Sequence, residues 1–172
     1  QAFVKMGVHI LVTDSVYSPT REFCNMTLKR FGVEVTYYDP LIGKGISELI
    51  QPNTVLIYTE SPGSLTLDIQ DIPAIVEEAR KAGIIVLMDN TWASPLYYKP
   101  FEHGVDVSIQ AGTKYIVGHS DVMIGAVTTT KELWSKLQND SYASGQTAGP
   151  DDIYLAQRGM RTLSVRLKQH ME

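Results

Sequence analysis

The side chains best suited to chemistry lie just past the ends of apolar runs. In "DVSIQAGTKYIVGHSDVMIGAV", residues 106–127, a strand-like run leads into Thr113-Lys114-Tyr115, and a second apolar run follows a glycine-containing loop. An ammonium is costly to bury unpaired, so Lys114 either snorkels to water or its amine is used. Other runs end in comparable groups. "HILVTD" is followed by Ser15-Val16-Tyr17, "VLIYTE" by Ser61-Pro62-Gly63-Ser64, and "IIVLM" by Asp89-Asn90-Thr91-Trp92. Were these strands parallel, a ring, a carboxylate, hydroxyls and an amine would line one crevice at their carboxyl ends.

That set of groups suits pyridoxal 5′-phosphate (PLP). A lysine amine forms a Schiff base with an aldehyde, and partial burial favours the neutral, nucleophilic amine. An acid beside the pyridine nitrogen keeps it protonated, so the ring takes electrons from a carbanion. An aromatic ring stacks on the cofactor face, and hydroxyls or backbone N–H groups at a helix start hold a phosphate. Singly, each residue has a plainer reading. Lys114 is a solvated lysine, Asp89 caps its own turn, Tyr17 packs, and Thr113 belongs to a strand or turn.

The elements that would position these groups alternate between strand and helix. "VHILVTD", "VEVTYYD", "TVLIYTE", "DVSIQ" and "MIGAVTTT" read as strands. "IIVLMD" is continuously apolar, as expected for a strand covered on both faces. A helix of about 12 residues is expected from Pro19, with Gly32 as its C-terminal cap. "GISELI" is a short helix. In "DIPAIVEEARKAG", Ile72, Ile75, Val76 and Ala79 follow i, i+3, i+4, i+7 spacing, with Asp71 to cap the start and Gly83 the end. Helices close the C-terminal segment. The pattern predicts an α/β three-layer sandwich on a mostly parallel sheet.

Composition narrows the function classes. With 172 residues, 44% hydrophobic and 20% charged, the chain has the size and content of one globular domain. A formal charge of −4 gives no reason to expect nucleic acid or an anionic membrane. No apolar run approaches the ~20 residues of a membrane span. Cys24 is the single cysteine, so no intrachain disulfide forms and a cytoplasmic location is expected. The four histidines show no metal-ligand spacing. His119-Ser120-Asp121 has the residue types of a hydrolase triad, but neighbours in a tight loop do not converge as a triad must. "IGKGIS" lacks the spacing of a phosphate loop. Arg158, Arg161, Arg166 and Lys168 suggest either an anion site or, on a helix, a solvated or salt-bridged face.

The order of the motifs resembles one family. "DNTWASP" followed by "DVSIQAGTKYIVGHSDVMIGA" is similar to the signature of the Cys/Met-metabolism PLP enzymes, of the aspartate-aminotransferase fold type I. "VTDSVYSPTREFC", "YDPLIG", "QPNTVLIYTESPGS" and "RGMRTLSVRLKQH" extend the resemblance along the chain, and "ESPGS" lies nearest the bacterial cystathionine β-lyase branch. The resemblance implies that Lys114 carries PLP and moves the Cα proton of the substrate. It further implies that Asp89 contacts the pyridine nitrogen, that Tyr17 lies over the ring and approaches the substrate amine as a catalytic group, and that Thr113 helps hold the phosphate. The reaction implied is β-elimination of cystathionine to homocysteine, pyruvate and ammonia; the γ-lyases and γ-synthase of the family, and a catalytically inactive fragment, are the alternatives.

Two residues depart from the family pattern. Ala111 stands where many relatives have a serine, removing a phosphate hydroxyl, and Ser64 where many have the asparagine that meets the ring hydroxyl. Gln1 is not a start residue, and the last segment runs helically to Glu172 without a stop signal. Residues 1–172 are therefore expected to be a single but incomplete PLP-binding large domain. The family's N-terminal arm and C-terminal domain would lie outside it. The resemblance implies a homo-oligomer, a homotetramer for the complete chain.

Overall fold

Five apolar runs pair side by side as parallel strands, and the computed structural model describes all of residues 1–172. They are β1 (His9–Thr13), β2 (Glu34–Tyr38), β3 (Thr54–Glu60), β4 (Ile85–Asp89) and β5 (Val107–Gln110). A sixth, β6 (Ala126–Thr129), runs antiparallel to β5 at one edge, and the sheet order is β2-β1-β3-β4-β5-β6. The order reverses beside β1, which opens a crevice at the carboxyl ends of β1 and β3. Register matters there: Glu60 is paired with Asp89 and Asp89 with Ile109, so two acids end at one level.

The helices lie where their signals put them. Helix α1 (Ser18–Glu22) has Pro19 in its first turn and continues as a π-helical turn (Phe23–Leu28) and a 3-10 turn (Lys29–Phe31). Gly32, at φ 75°, ends it in the left-handed conformation that glycine adopts without a Cβ penalty. Helix α2 (Ile72–Lys81) is capped by Asp71, whose carboxylate accepts the Ala74 N–H at 3.1 Å. All of "GISELI" but its last residue, Ile50, falls within a 3-10 helix (Gly43–Leu49), with Ile46 fully buried and Lys44 paired to Glu77. Helices α3 (Ser94–Tyr97), α4 (Lys131–Ala143), α5 (Pro150–Met160) and α6 (Leu163–Met171) complete the chain.

Alternate residues of a strand face opposite sides, which gives two cores. Leu11, Ile57, Val86 and Met88 pack against Ile72, Ile75 and Ala79 of α2 and against Ile46. Ile10, Val12 and Leu56 pack against Cys24 and Leu28 in the helix that begins as α1. These are the three layers that the sequence predicts. Strand β4 differs from expectation: Val86 and Met88 are buried, but Ile85 and Leu87 are only half-buried. The second core centres on β1, so its helix covers β4 incompletely. No helix is long and apolar enough to cross a membrane.

Candidate active site

The loops after β1, β3, β4 and β5 meet around a cavity of about 400 Å³ lined by Tyr17, Glu60, Ser64, Asp89, Ala111 and Lys114, with Thr91, Trp92 and Tyr115. Contact between the first two loops requires a glycine. A Cβ on Gly63 would lie 2.6 Å from the Ser15 side chain, and next to it the Ser64 N–H donates to the Ser15 carbonyl at 2.8 Å. The Ser64 hydroxyl itself makes no hydrogen bond within the chain.

Glu60 and Asp89 form the floor. The Tyr17 backbone N–H donates to Glu60 Oε2 at 2.8 Å, which anchors the start of α1 over the end of β3. Burial pushes the Glu60 carboxyl up to about 7; the Tyr17 N–H opposes this and the nearby Asp89 charge adds to it. Asp89 Oδ1 accepts both the Thr91 N–H at 3.0 Å and the Thr91 hydroxyl at 2.5 Å. Thr91 Oγ1 in turn accepts the Ala111 N–H at 2.8 Å, joining the end of β4 to the turn after β5. Burial raises Asp89 above the usual carboxylate range and the Thr91 bonds pull it back. No hydrogen bond engages Asp89 Oδ2. A part-buried carboxylate with one oxygen held and the other open lacks a cationic partner.

Lys114 stands on the turn after β5, which is closed by Lys114 N–H to the Ala111 carbonyl and Gly118 N–H to the Lys114 carbonyl. Its side chain is exposed, and Nζ makes no hydrogen bond or ion pair. Of the two readings from sequence, a snorkelling ammonium or an amine in use, the exposure of Lys114 meets the first, and its place on the cavity leaves the second open. The amine borders both this cavity and a second one of about 630 Å³ on its far side. Thr113 borders only the second; its Oγ1 accepts the Ile124 N–H at 2.9 Å and lies 3.3 Å from the Ile124 carbonyl. Tyr17, Ser64, Asp89 and Lys114 are thus brought together, and Thr113 is set apart from them.

Sequence reasoning missed Glu60, Thr91 and the place of Arg166. No triad forms in the loop after Lys114: His119 Nδ1 lies 2.7 Å from the Val117 carbonyl, and Asp121 pairs with Arg158 at 2.9 Å. Arg166 is half-buried and occupied by backbone carbonyls, not by an anion or a carboxylate.

The donor set fits PLP: an unencumbered amine, an acid open at one oxygen, an exposed ring and a free hydroxyl, all on one cavity. The profile of the family described as "Cys/Met metabolism PLP-dependent enzyme" matches residues 1–172. The chain belongs to this family. Its members use PLP on the fold-type-I framework seen here. Cystathionine beta-lyase of Haemophilus influenzae is 50% identical over 99% of this chain and 44% of its own length. An L-alanine/L-glutamate racemase of Wolbachia pipientis is 46% identical over 98% of this chain and 41% of its own. The crystal structure of cystathionine gamma-lyase from Lactobacillus plantarum complexed with L-serine superposes with a TM-score of 0.92 at 37% identity, over 94% of this chain and 43% of that one. The chain spans less than half the length of these relatives.

Proposed function

We propose that this chain forms the cofactor-holding core of a PLP-dependent carbon–sulfur lyase that acts on cystathionine by β-elimination. Cystathionine and water would give homocysteine, pyruvate and ammonia. The observation that carries the reading is the meeting of Lys114, Asp89 and Tyr17 at one cavity, together with the β-lyase names of close relatives. PLP, when bound, supplies an electron sink for the charge left on Cα. Lys114 would hold the cofactor through its amine and would be the base for the Cα proton. Asp89 Oδ2 takes the pyridine N–H while Thr91 fixes Oδ1. Tyr17 covers the ring face, anchored through its own backbone by Glu60. Ser64 offers its free hydroxyl to the ring hydroxyl. Thr113 lies on the neighbouring cavity that Lys114 also borders, and from there it would serve the phosphate by turning its O–H proton from the Ile124 carbonyl, keeping the Ile124 N–H bond.

The same reading treats residues 1–172 as one large domain completed by an N-terminal arm and a C-terminal domain outside it. It makes the complete protein a homotetramer with sites shared between subunits. A cytoplasmic location is supported by Cys24 being the single cysteine, and a buried one. A second reading, γ-elimination, is favoured by the γ-lyase structure that superposes on this chain.

Borohydride reduction after PLP addition, followed by peptide mass mapping, tests the site. One pyridoxyl adduct at Lys114, lost in Lys114→Ala, is the expected result; an adduct confined to another lysine would sink the assignment. Products of the whole protein test the reaction. Pyruvate from cystathionine is expected, 2-oxobutyrate would establish the γ reading, and D-alanine formed from L-alanine without pyruvate would replace elimination by racemisation.

A further inference from the structure

We propose that Arg166 is a positioning residue for the Lys114 turn, holding the backbone that follows the lysine so that its amine is presented to the cavity beside Asp89. The inference rests on Lys114 being the cofactor-bearing amine. Four hydrogen bonds define the arrangement. Arg166 Nη1 donates to the Tyr115 carbonyl at 2.8 Å, and Nη2 donates to the Gly159 carbonyl at 2.8 Å and the Ile116 carbonyl at 3.4 Å. Nε donates to Thr162 Oγ1 at 3.0 Å, which orients the planar head. The three carbonyls belong to the two residues after Lys114 and to the last turn of α5, which lies more than forty residues further along the chain. A guanidinium fork spans such a set; an ammonium, a point charge with no fixed plane, does not.

The surroundings are shaped to this contact. A Cβ on Gly118 would collide with the Arg166 guanidinium, and a Cβ on Gly159 would collide with the Ile116 and Val117 carbonyl oxygens. The backbone of α5 therefore touches the lysine turn directly, and Arg166 locks the contact. Helix α6 has a second attachment on the opposite wall, where the Tyr97 hydroxyl of α3 donates to the Leu167 carbonyl at 3.1 Å. Through adjacent residues, α6 grips both the turn that bears Lys114 and the segment that follows Asp89. The apolar packing at this place is small, a cluster of Val117, Val122 and Ala156, so the polar ties set the geometry.

The test compares Arg166→Gln, Arg166→Lys and Arg158→Gln in the whole protein loaded with PLP. Three quantities are read: the PLP dissociation constant, the extent of borohydride trapping at Lys114, and the pH midpoint of the bound cofactor's visible absorbance. Circular dichroism monitors folding. Arg166→Gln is expected to weaken PLP about tenfold and move the absorbance midpoint, with Arg166→Lys between it and the parent. Arg158→Gln, which removes only a surface ion pair, is expected to match the parent. Should Arg166→Gln not fold, Thr162→Val, which frees Nε and leaves the charge, decides by the same absorbance midpoint. A folded Arg166→Gln, or Thr162→Val in its stead, with parental affinity and midpoint would overturn the proposal. If the parent itself gives no adduct at Lys114, the assignment of the lysine fails instead, which separates the two ideas.

Discussion

The first hundred residues and the last fifty are held together by different forces. Around β1, β3 and β4, twelve buried residues form one apolar core and eight form another. Beyond Lys114 the corresponding cluster has three, α4 buries no residue, and Trp134 and Tyr154 lie open. What fixes the later segment is polar: Arg166 on the lysine turn, Tyr97 on α6, and Arg158 on Asp121. Close-packed apolar cores hold the first part rigidly, whereas the later part depends on directed bonds such as the guanidinium on three carbonyls. The acid and ring thus stand on a rigid platform, and the amine on a part positioned by directed bonds.

The contrast is broken most directly by truncating each half. Ile57→Ala, at a fully buried position, is expected to cost about 2–5 kcal/mol in urea unfolding. Trp134→Ala, at 49% exposure, is expected to cost under about 1 kcal/mol. Equal losses would mean that the later segment has a core of its own, contrary to the packing.

The next effect is one of pH on the platform. Glu60 carries a folded value of about 7 against an ordinary 4.5, so the folded state holds this proton more tightly. Its contribution to stability is complete below about 4.5 and is lost as pH rises through about 7. The loss amounts to about 2 kcal/mol after allowance for solvent reaching the cavity. Glu60→Gln should flatten the decline between those limits in a series of unfolding curves. An unaltered slope would assign it to another group.

The smallest effect sharpens the view of the later segment. Arg158 and Asp121 are each more than 40% exposed, so Arg158→Gln should cost under about 1 kcal/mol, with the difference vanishing in high salt. A larger, salt-independent loss would make this pair a structural tie comparable with Arg166.

The same division governed what could be read from residue order. Strands, α2 and its Asp71 and Gly83 termini were legible because period and caps are local. Tyr17, Ser64, Asp89 and Lys114 were legible as a group because parallel strands bring their carboxyl ends together. Glu60 was not singled out, since an acid at a strand end looks solvated until the Tyr17 N–H is seen above it. Thr91 was hidden because its hydroxyl serves two strands at once. Arg166 looked like one charge on a solvated or salt-bridged helix, because its partners lie up to fifty-one positions away. The antiparallel sense of β6 and the thin cover of Ile85 and Leu87 depend on which elements become neighbours.

The distribution of the cavity over four strand ends has a consequence for how the chain matures. Tyr17, Ser64, Asp89 and Lys114 come from four separate segments, and roughly a hundred residues separate Tyr17 from Lys114. At about 5–20 residues per second, a ribosome takes about 5–20 seconds to pass from one to the other. Nascent chains have Tyr17 well before Lys114, and the brace from α6 follows the lysine. PLP, the cofactor of this family, therefore acts by mass action on chains in which those strand ends have already met.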